Sequence, residues 1–237
     1  MAPAGSFESL AAALQGGADS VYFGIGKLNM RSRATANFAE EDLPEIVARC
    51  HETGAKAYLT LNIIVYDEEL ETVRNLCAAA KAAGVDAVIA SDLAVITHAH
   101  SIGLEVHMSV QANVCNMASV RFYAQYADVV VLARELTLGQ IRRIIDGIRD
   151  EGIRGPSGDL IRVEIFAHGA LCVAVSGKCH MSLAAYNSSA NRGACFQNCR
   201  RAYRVTDEET GNELVIDNKY AVSYTHLRAH ETPEHLV

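Results

Sequence analysis

Three stretches of the chain repeat one phrase: Gly16-Gly-Ala-Asp-Ser-Val-Tyr-Phe-Gly24, Thr53-Gly-Ala-Lys-Ala-Tyr-Leu-Thr-Leu61 and Ala83-Gly-Val-Asp-Ala-Val-Ile-Ala90. Each reads as a helix closed by glycine and followed at once by a short apolar strand. Glycine suits the closure because it reaches the left-handed conformation at a helix C-terminus without a Cβ clash. Units of this kind at a spacing of roughly 25–35 residues specify strands alternating with helices, and therefore a parallel sheet.

The alternation runs to residue 166. Helices are predicted over Phe7–Gln15, Glu40–Glu52, Glu68–Ala83, Asp92–His100, Met117–Gln125 and Leu136–Asp150, with Leu43, Ile46, Val47 and Cys50 spaced as one buried stripe. Strands are predicted over Ser20–Gly24, Lys56–Asn62, Ala87–Ala90, Leu104–Met108, Asp128–Leu132 and Arg162–Phe166. A doubly wound sheet and a (β/α) barrel both fit this order. Gly24-Ile-Gly26 lacks the third glycine of a dinucleotide-binding turn, so the barrel is the better expectation. The fold class expected is α/β: an incomplete TIM-barrel-like (β/α) repeat over 1–166, followed by a Cys-rich irregular segment over 167–222.

Composition narrows the function classes. The formal charge is −7, so nucleic acid or anionic lipid would have to be met by a local patch rather than by bulk attraction. No apolar run is long enough to span a membrane, and Met1-Ala-Pro-Ala-Gly-Ser-Phe-Glu8 has no signal-peptide character, so a cytoplasmic protein is expected. Seven cysteines are then expected as reduced thiols. Cys50 and Cys77 lie on apolar helix faces and read as small core residues.

In a barrel the chemistry belongs on the loops at strand C-termini. Those loops carry Asn29, Arg31 and Arg33, then Asn62, Ser91 and Asp92, then Ser109, Gln111 and Asn113, then Arg134 and Glu135, and finally His168. Asp92 and Ser109 also fit as helix caps. Four cysteines crowd the next segment as C-x6-C-x15-C-x3-C: Cys172, Cys179, Cys195 and Cys199. Tight pairs of the kind that grip one zinc ion are missing except at Cys195/Cys199. Wider spacing suits an iron–sulfur cluster, whose corners lie several ångströms apart. Zinc and an unliganded or catalytic thiol remain open on spacing alone. Lys178, Arg192, Arg200, Arg201 and Arg204, interleaved with Tyr186, Phe196 and Tyr203, form a basic and aromatic patch suited to RNA phosphate and bases. A solvated face that balances cluster charge is the plainer reading of the same residues.

Glu164-Ile-Phe-Ala-His-Gly-Ala-Leu-Cys172-Val-Ala-Val-Ser-Gly-Lys-Cys179-His-Met-Ser182 resembles the signature of peptidase family U32, the collagenase-like peptidases. Asn191-Arg-Gly-Ala-Cys195-Phe-Gln-Asn-Cys199-Arg, Ala2-Pro-Ala-Gly5, Gly17–Gly24 and Ser109–Asn113 continue the resemblance, which covers residues 1–222. It implies a TIM-barrel-like domain. Some members are classed as proteases. Others hydroxylate nucleobases in tRNA or ribosomal RNA, or act in oxygen-independent quinone hydroxylation, with a [4Fe–4S] cluster; in the RNA-modifying members prephenate is linked to the hydroxylation.

Carried over by position, Cys172, Cys179 and Cys195 match three cluster ligands. The fourth family ligand falls a few tens of residues later, in a segment like S-P-K-D-L-C that this chain does not contain; Cys199 is the alternative. The family strand that precedes A-P-A-G has only Met1 here. Residues 223–237 resemble translated sequencing-adapter read-through and are expected to be no native part of the protein.

The leading expectation is a cluster-dependent redox enzyme acting on tRNA or rRNA with a small-molecule co-substrate. His168, Gln111, Asn113, Asn62 and Arg134 would line the barrel mouth, and Arg192, Arg200, Arg201 and Arg204 would meet RNA. A U32 peptidase is the second reading, although no H-E-x-x-H or G-x-S-x-G occurs. A zinc-stabilised RNA-binding accessory module is the third.

Overall fold

The computed structural model describes residues 1–30, 32, 37–170, 172, 174–175, 178–216 and 224–226. Seven strands form one sheet: β1 (Ala2–Ala4), β2 (Ser20–Gly24), β3 (Lys56–Leu61), β4 (Ala87–Ala90), β5 (Val106–Met108), β6 (Val129–Val131) and β7 (Arg162–Glu164). Their spatial order equals their chain order and every pairing is parallel. A doubly wound sheet reverses its strand order at a switch point. This sheet does not, so it winds in the barrel sense.

Six helices cross between the strands: α1 (Phe7–Gln15), α2 (Leu43–Glu52), α3 (Leu70–Ala83), α4 (Leu93–Ser101), α5 (Met117–Tyr123) and α6 (Leu138–Glu151). Their ends are set locally. Asp92 accepts a hydrogen bond from the Ala94 amide and caps α4, and Thr137 and Gln140 form a capping box on α6. Strand alternation divides the sheet in two. Val21, Phe23, Ala57, Leu59, Leu61, Val88, Ala90, Val106, Met108 and Val130 join the helices in the main core. Cys50 and Cys77 lie there too, and burial pushes both thiols up to about 11, which makes them inert packing groups.

The other sheet face is unusual for a barrel. Branched aliphatics normally fill that space, and here Tyr58, Ala87 and Ile89 pack with Tyr22 beside the buried His107. The His107 and Tyr58 rings lie 4.6 Å apart, and His107 Nε2 sits 2.9 Å from Glu105 Oε1, a carboxylate that Arg162 also engages. Burial pushes the Glu164 carboxyl above its usual range, and the His107 and N-terminal charges only partly offset this. A carboxyl with a raised folded pKa costs stability once the pH exceeds its unfolded value. Glu164→Gln is therefore expected to raise the melting temperature near about pH 8 and to leave it unchanged near about pH 4. Equal shifts at both values would contradict this assignment.

The structure departs from the sequence-based expectations in two places. Ala2–Ala4 is itself the first strand, paired Ala2↔Val21 to Ala4↔Phe23. Three residues with a proline carry no periodic signal, and proline is tolerated on an edge strand. The segment after β7 is less irregular than expected. It contains β8 (His168–Ala170), α7 (Met181–Tyr186) and an antiparallel hairpin of β9 (Tyr203–Thr206) and β10 (Glu213–Ile216). Beyond it, β11 (Tyr224–His226) pairs antiparallel with β8. The remainder of 217–237 lies outside the described residues, as do Arg31 and Arg33. Among the described residues no helix is long and apolar enough to cross a membrane.

Candidate functional site: a cysteine segment on the barrel mouth

The loops after the strands converge on one face. Asn62, just past β3, ties several of them together. Its Oδ1 accepts from the Met30 amide at 3.1 Å, its carbonyl accepts from Ser91 Oγ at 3.1 Å, and its Nδ2 donates to Ser109 Oγ and Gln111 Oε1, each at 3.4 Å. Ser109 also donates to Gln111 Oε1. Asn113 closes the 3-10 turn Val110–Ala112 in a left-handed conformation. Asn62 and Gln111 are thus brought together. Arg134, after β6, lies instead with its guanidinium carbon 5.9 Å from the Phe166 ring centroid, and its Nε is buried with no hydrogen-bond partner among the described residues. Asp92 is a cap that also accepts from the Val65 amide. The backbone of His168 belongs to β8; its side chain lies outside the described residues.

The cysteine segment is fastened to this face. Arg192 donates through Nη1 to Glu69 Oε2 and to the Ile64 carbonyl, both at 2.8 Å, and through Nη2 to Glu69 Oε1. Its guanidinium lies 4.0 Å from the Tyr66 ring centroid. The Ile64 amide donates to the Asn191 carbonyl. Gly193, at φ +78, comes so close to the loop after β2 that a Cβ there would stand 2.2 Å from the Asn29 carbonyl oxygen and 2.4 Å from Ser32 Oγ. Arg192 was expected to meet RNA phosphate; its fork is occupied by Glu69, Ile64 and Tyr66 instead. Sequence reasoning missed this clasp because Arg192 sits in a basic run and Glu69 in an acidic one, far apart in the chain.

The clasp has a pH consequence. The hydrogen bonds from Arg192 hold the Glu69 carboxyl below its usual range. A depressed folded pKa contributes stability above the unfolded value, near 4.3 for glutamate, that is lost as the pH falls through the folded one. Proteolysis within residues 188–204 is accordingly expected to accelerate below about pH 4, and Glu69→Gln to be cut readily even at neutral pH. Equal resistance of Glu69→Gln and wild type would refute the clasp.

The four cysteines of the segment are free thiols, three of them half-buried and Cys195 exposed. Cys199 lies within charge range of the other three. The Cys199 thiol is pushed up first by burial and then by the charges of Cys172, Cys195 and Cys179, against a lowering by Arg200. Backbone amides point at two of the sulfurs. Met181 N–H donates to Cys179 Sγ at 3.4 Å, and Gln197 N–H donates to Cys195 Sγ at 3.3 Å. Gln197 takes a left-handed conformation in that turn, which a side chain rarely adopts without local support. The Cys179 amide donates to Asn191 Oδ1 at 3.0 Å, Phe196 N–H donates to Ser182 Oγ at 3.0 Å and Asn198 Nδ2 donates to the Met181 carbonyl, so α7 braces both cysteine turns. Amides aimed at sulfur stabilise thiolate, the form that binds metal. Among the described residues no three His, Cys, Asp or Glu side chains are grouped to hold a metal ion. Thiols with amide donors aimed at sulfur are a donor set that suits metal ligation, by an iron–sulfur cluster or by zinc.

The sequence profile of peptidase family U32 matches residues 5–237. A collagenase of Porphyromonas gingivalis is 54% identical over 228 residues, 96% of this chain and 55% of that protein. The 23S rRNA 5-hydroxycytidine C2501 synthase of Escherichia coli is 37% identical over 81% of this chain and 28% of its own length. The tRNA hydroxylation protein P of the same organism is 34% identical over 93% of this chain and 47% of its own. The chain spans about half the length of the first of these relatives and less of the rRNA enzyme. Among solved structures, the U32 peptidase Mk0906 superposes with a TM-score of 0.51 at 15% identity, over 61% of this chain and 63% of that one, which supports the fold. On the profile match and these identities, the chain belongs to peptidase family U32.

Proposed function

We propose that this chain forms the catalytic barrel of an iron–sulfur redox enzyme that hydroxylates a nucleobase in tRNA or rRNA. The observation that carries the reading is the cysteine segment: backbone amides donate to the sulfurs of Cys179 and Cys195, Cys199 lies within charge range of Cys172, Cys179 and Cys195, and Arg192 and Glu69 hold the segment at the barrel mouth. Cys172, Cys179 and Cys195 are assigned as ligands of a [4Fe–4S] cluster, with Cys199 in range of all three. A bound cluster would supply electron transfer. The protein side chains do the rest. Asn62 and Gln111 present amide groups to a substrate at the mouth, and Arg134 offers a buried N–H with no partner among the described residues. Adding a hydroxyl to a base needs an oxygen donor and removal of electrons. A small-molecule co-substrate, with prephenate as the candidate, is assigned that part. Arg200, Arg201 and Arg204 remain exposed for RNA phosphate.

The hydroxylation names of two relatives support this reading. The collagenase name of a more similar relative favours the peptidase alternative. The test is expression in a strain deleted for its own RNA-hydroxylating U32 proteins, followed by mass spectrometry of tRNA and rRNA nucleosides. Recovery of a hydroxylated pyrimidine, lost again in Cys179→Ser, is expected. Unchanged nucleosides together with peptide cleavage that survives Cys179→Ser would establish the peptidase instead, and stoichiometric zinc without iron would establish the accessory module.

A further inference from the structure

Between Glu164 and Asp207 the chain carries no acidic residue, although 28 occur in the whole. The same stretch holds Lys178, Arg192, Arg200, Arg201 and Arg204. A protein of net charge −7 therefore presents one continuous segment that is purely cationic, and that segment carries the cysteines. Arg192 is spent on the Glu69 clasp; Lys178, Arg200, Arg201 and Arg204 are exposed. The pair of Arg204 with Glu213 is largely solvated and holds it only weakly.

Within this cationic surface stands an aromatic pair. The Tyr186 and Phe196 rings lie 4.6 Å apart between centroids, tilted by 34°. Phe196 immediately follows Cys195 and is half-buried, with its amide on Ser182 Oγ. Tyr186 ends α7 and is 45% exposed. Its hydroxyl accepts a hydrogen bond from Arg201 Nη1 at 2.6 Å, and the guanidinium carbon is 5.6 Å from the ring centroid, nearer the hydroxyl edge than a group stacked on the face. The tyrosine is thus backed by one ring, held at its hydroxyl and exposed to solvent. An aromatic ring fixed in this way loses little freedom when a flat ligand stacks on it. Met181 and Leu183, both 40% exposed, extend the apolar surface along α7.

We propose that Tyr186 is a stacking ledge for one unpaired nucleobase, with Arg200, Arg201 and Arg204 on the phosphates that flank it. The assignment rests on the RNA reading above and adds to it the required state of the RNA. A base within a duplex has both faces covered, so the ledge selects single-stranded or splayed-out nucleotides. The ring that backs the ledge, Phe196, is the neighbour of Cys195 in the chain.

The chain contains no tryptophan, so Tyr186→Trp introduces a sole indole reporter. The anaerobically isolated variant is titrated with a single-stranded uridine dodecamer, with a blunt RNA duplex of the same length, and with inorganic polyphosphate. Saturable quenching by the single strand, with little by the other two, is expected. In anisotropy with a labelled dodecamer, Tyr186→Ala and Tyr186→Leu are both expected to bind about tenfold or more weakly, the range that base–aromatic stacking spans. Leucine keeps an apolar contact for Phe196 and so separates loss of the ring face from loss of folding. Tyr186→Phe retains the face and should bind within about threefold of wild type. Wild-type affinity in Tyr186→Leu, or equal quenching by polyphosphate, would overturn the ledge while leaving RNA binding intact. Failure of the unmutated chain to bind either RNA would overturn the RNA reading and the ledge together.

Discussion

Gly193→Ala is expected to unseat the cysteine segment from the barrel while leaving the barrel folded. Two costs coincide at this position. The residue sits at φ +78, where a non-glycine residue is strained by about 1–3 kcal/mol. Its new methyl would also meet the Asn29 carbonyl oxygen and Ser32 Oγ at less than contact distance. Asn29 is fully buried and its amide donates to the Ile25 and Gly26 carbonyls, so that loop yields poorly. Overpacking of this kind costs about 1–3 kcal/mol more. Together these exceed what a local segment held by one ion pair and a few hydrogen bonds can absorb. Hydrogen exchange should show loss of protection across residues 188–204 with strands β2 to β6 unchanged. Wild-type protection of that segment in Gly193→Ala would contradict the close approach on which the docking argument rests.

The second large effect is expected at Cys179. Cys179→Ser is predicted to abolish iron and sulfide incorporation and to leave the melting temperature of the metal-free protein nearly unaltered. The thiol is half-buried and outside the main core, so its replacement removes a ligand and little packing. Its Sγ receives the Met181 amide, which serine can also accept, so the turn survives. Serine binds iron poorly beside thiolate, the soft ligand that iron–sulfur clusters use. Two controls separate ligation from damage. Cys115→Ser, at an exposed thiol remote in sequence from the segment, should retain iron in full. Cys77→Ser places a hydroxyl in a fully buried site and should lower stability by about 1–3 kcal/mol without being a ligand change. Iron content equal to wild type in Cys179→Ser would remove that residue from the centre.

The barrel was legible because its signals are periodic. The stripe Leu43, Ile46, Val47 and Cys50 and the buried run Ala87–Ala90 announce helix and strand within a few residues each. The boundaries moved where 3-10 turns begin two of the helices, at Glu40–Asp42 and Asp67–Glu69, since a short turn shares the composition of the helix it precedes. The first strand, Ala2–Ala4, was not legible: its partner Val21–Phe23, not its own pattern, makes it a strand. At the mouth, residue type and strand position singled out Asn62 and Gln111, and the cysteine spacing singled out the segment. What could not be read were contacts between distant residues. Glu69 with Arg192 and Gly193 against Asn29 join parts of the chain more than a hundred residues apart. The polar inner face was equally hidden, because Tyr22, Tyr58, His107 and Glu164 lie in four different strands and only the parallel pairing brings them to one side of the sheet.

The proposed multi-iron centre on the thiols of residues 172–199 makes a spectroscopic signature that no mononuclear site shares. Iron-edge X-ray absorption on the anaerobically reconstituted chain tests it most directly. Iron surrounded by sulfur with a second shell of iron neighbours is expected, both lost in Cys195→Ser. An iron spectrum with nitrogen and oxygen ligands and no iron neighbour, or a chain that takes up one zinc ion on sulfur in place of iron, would contradict it.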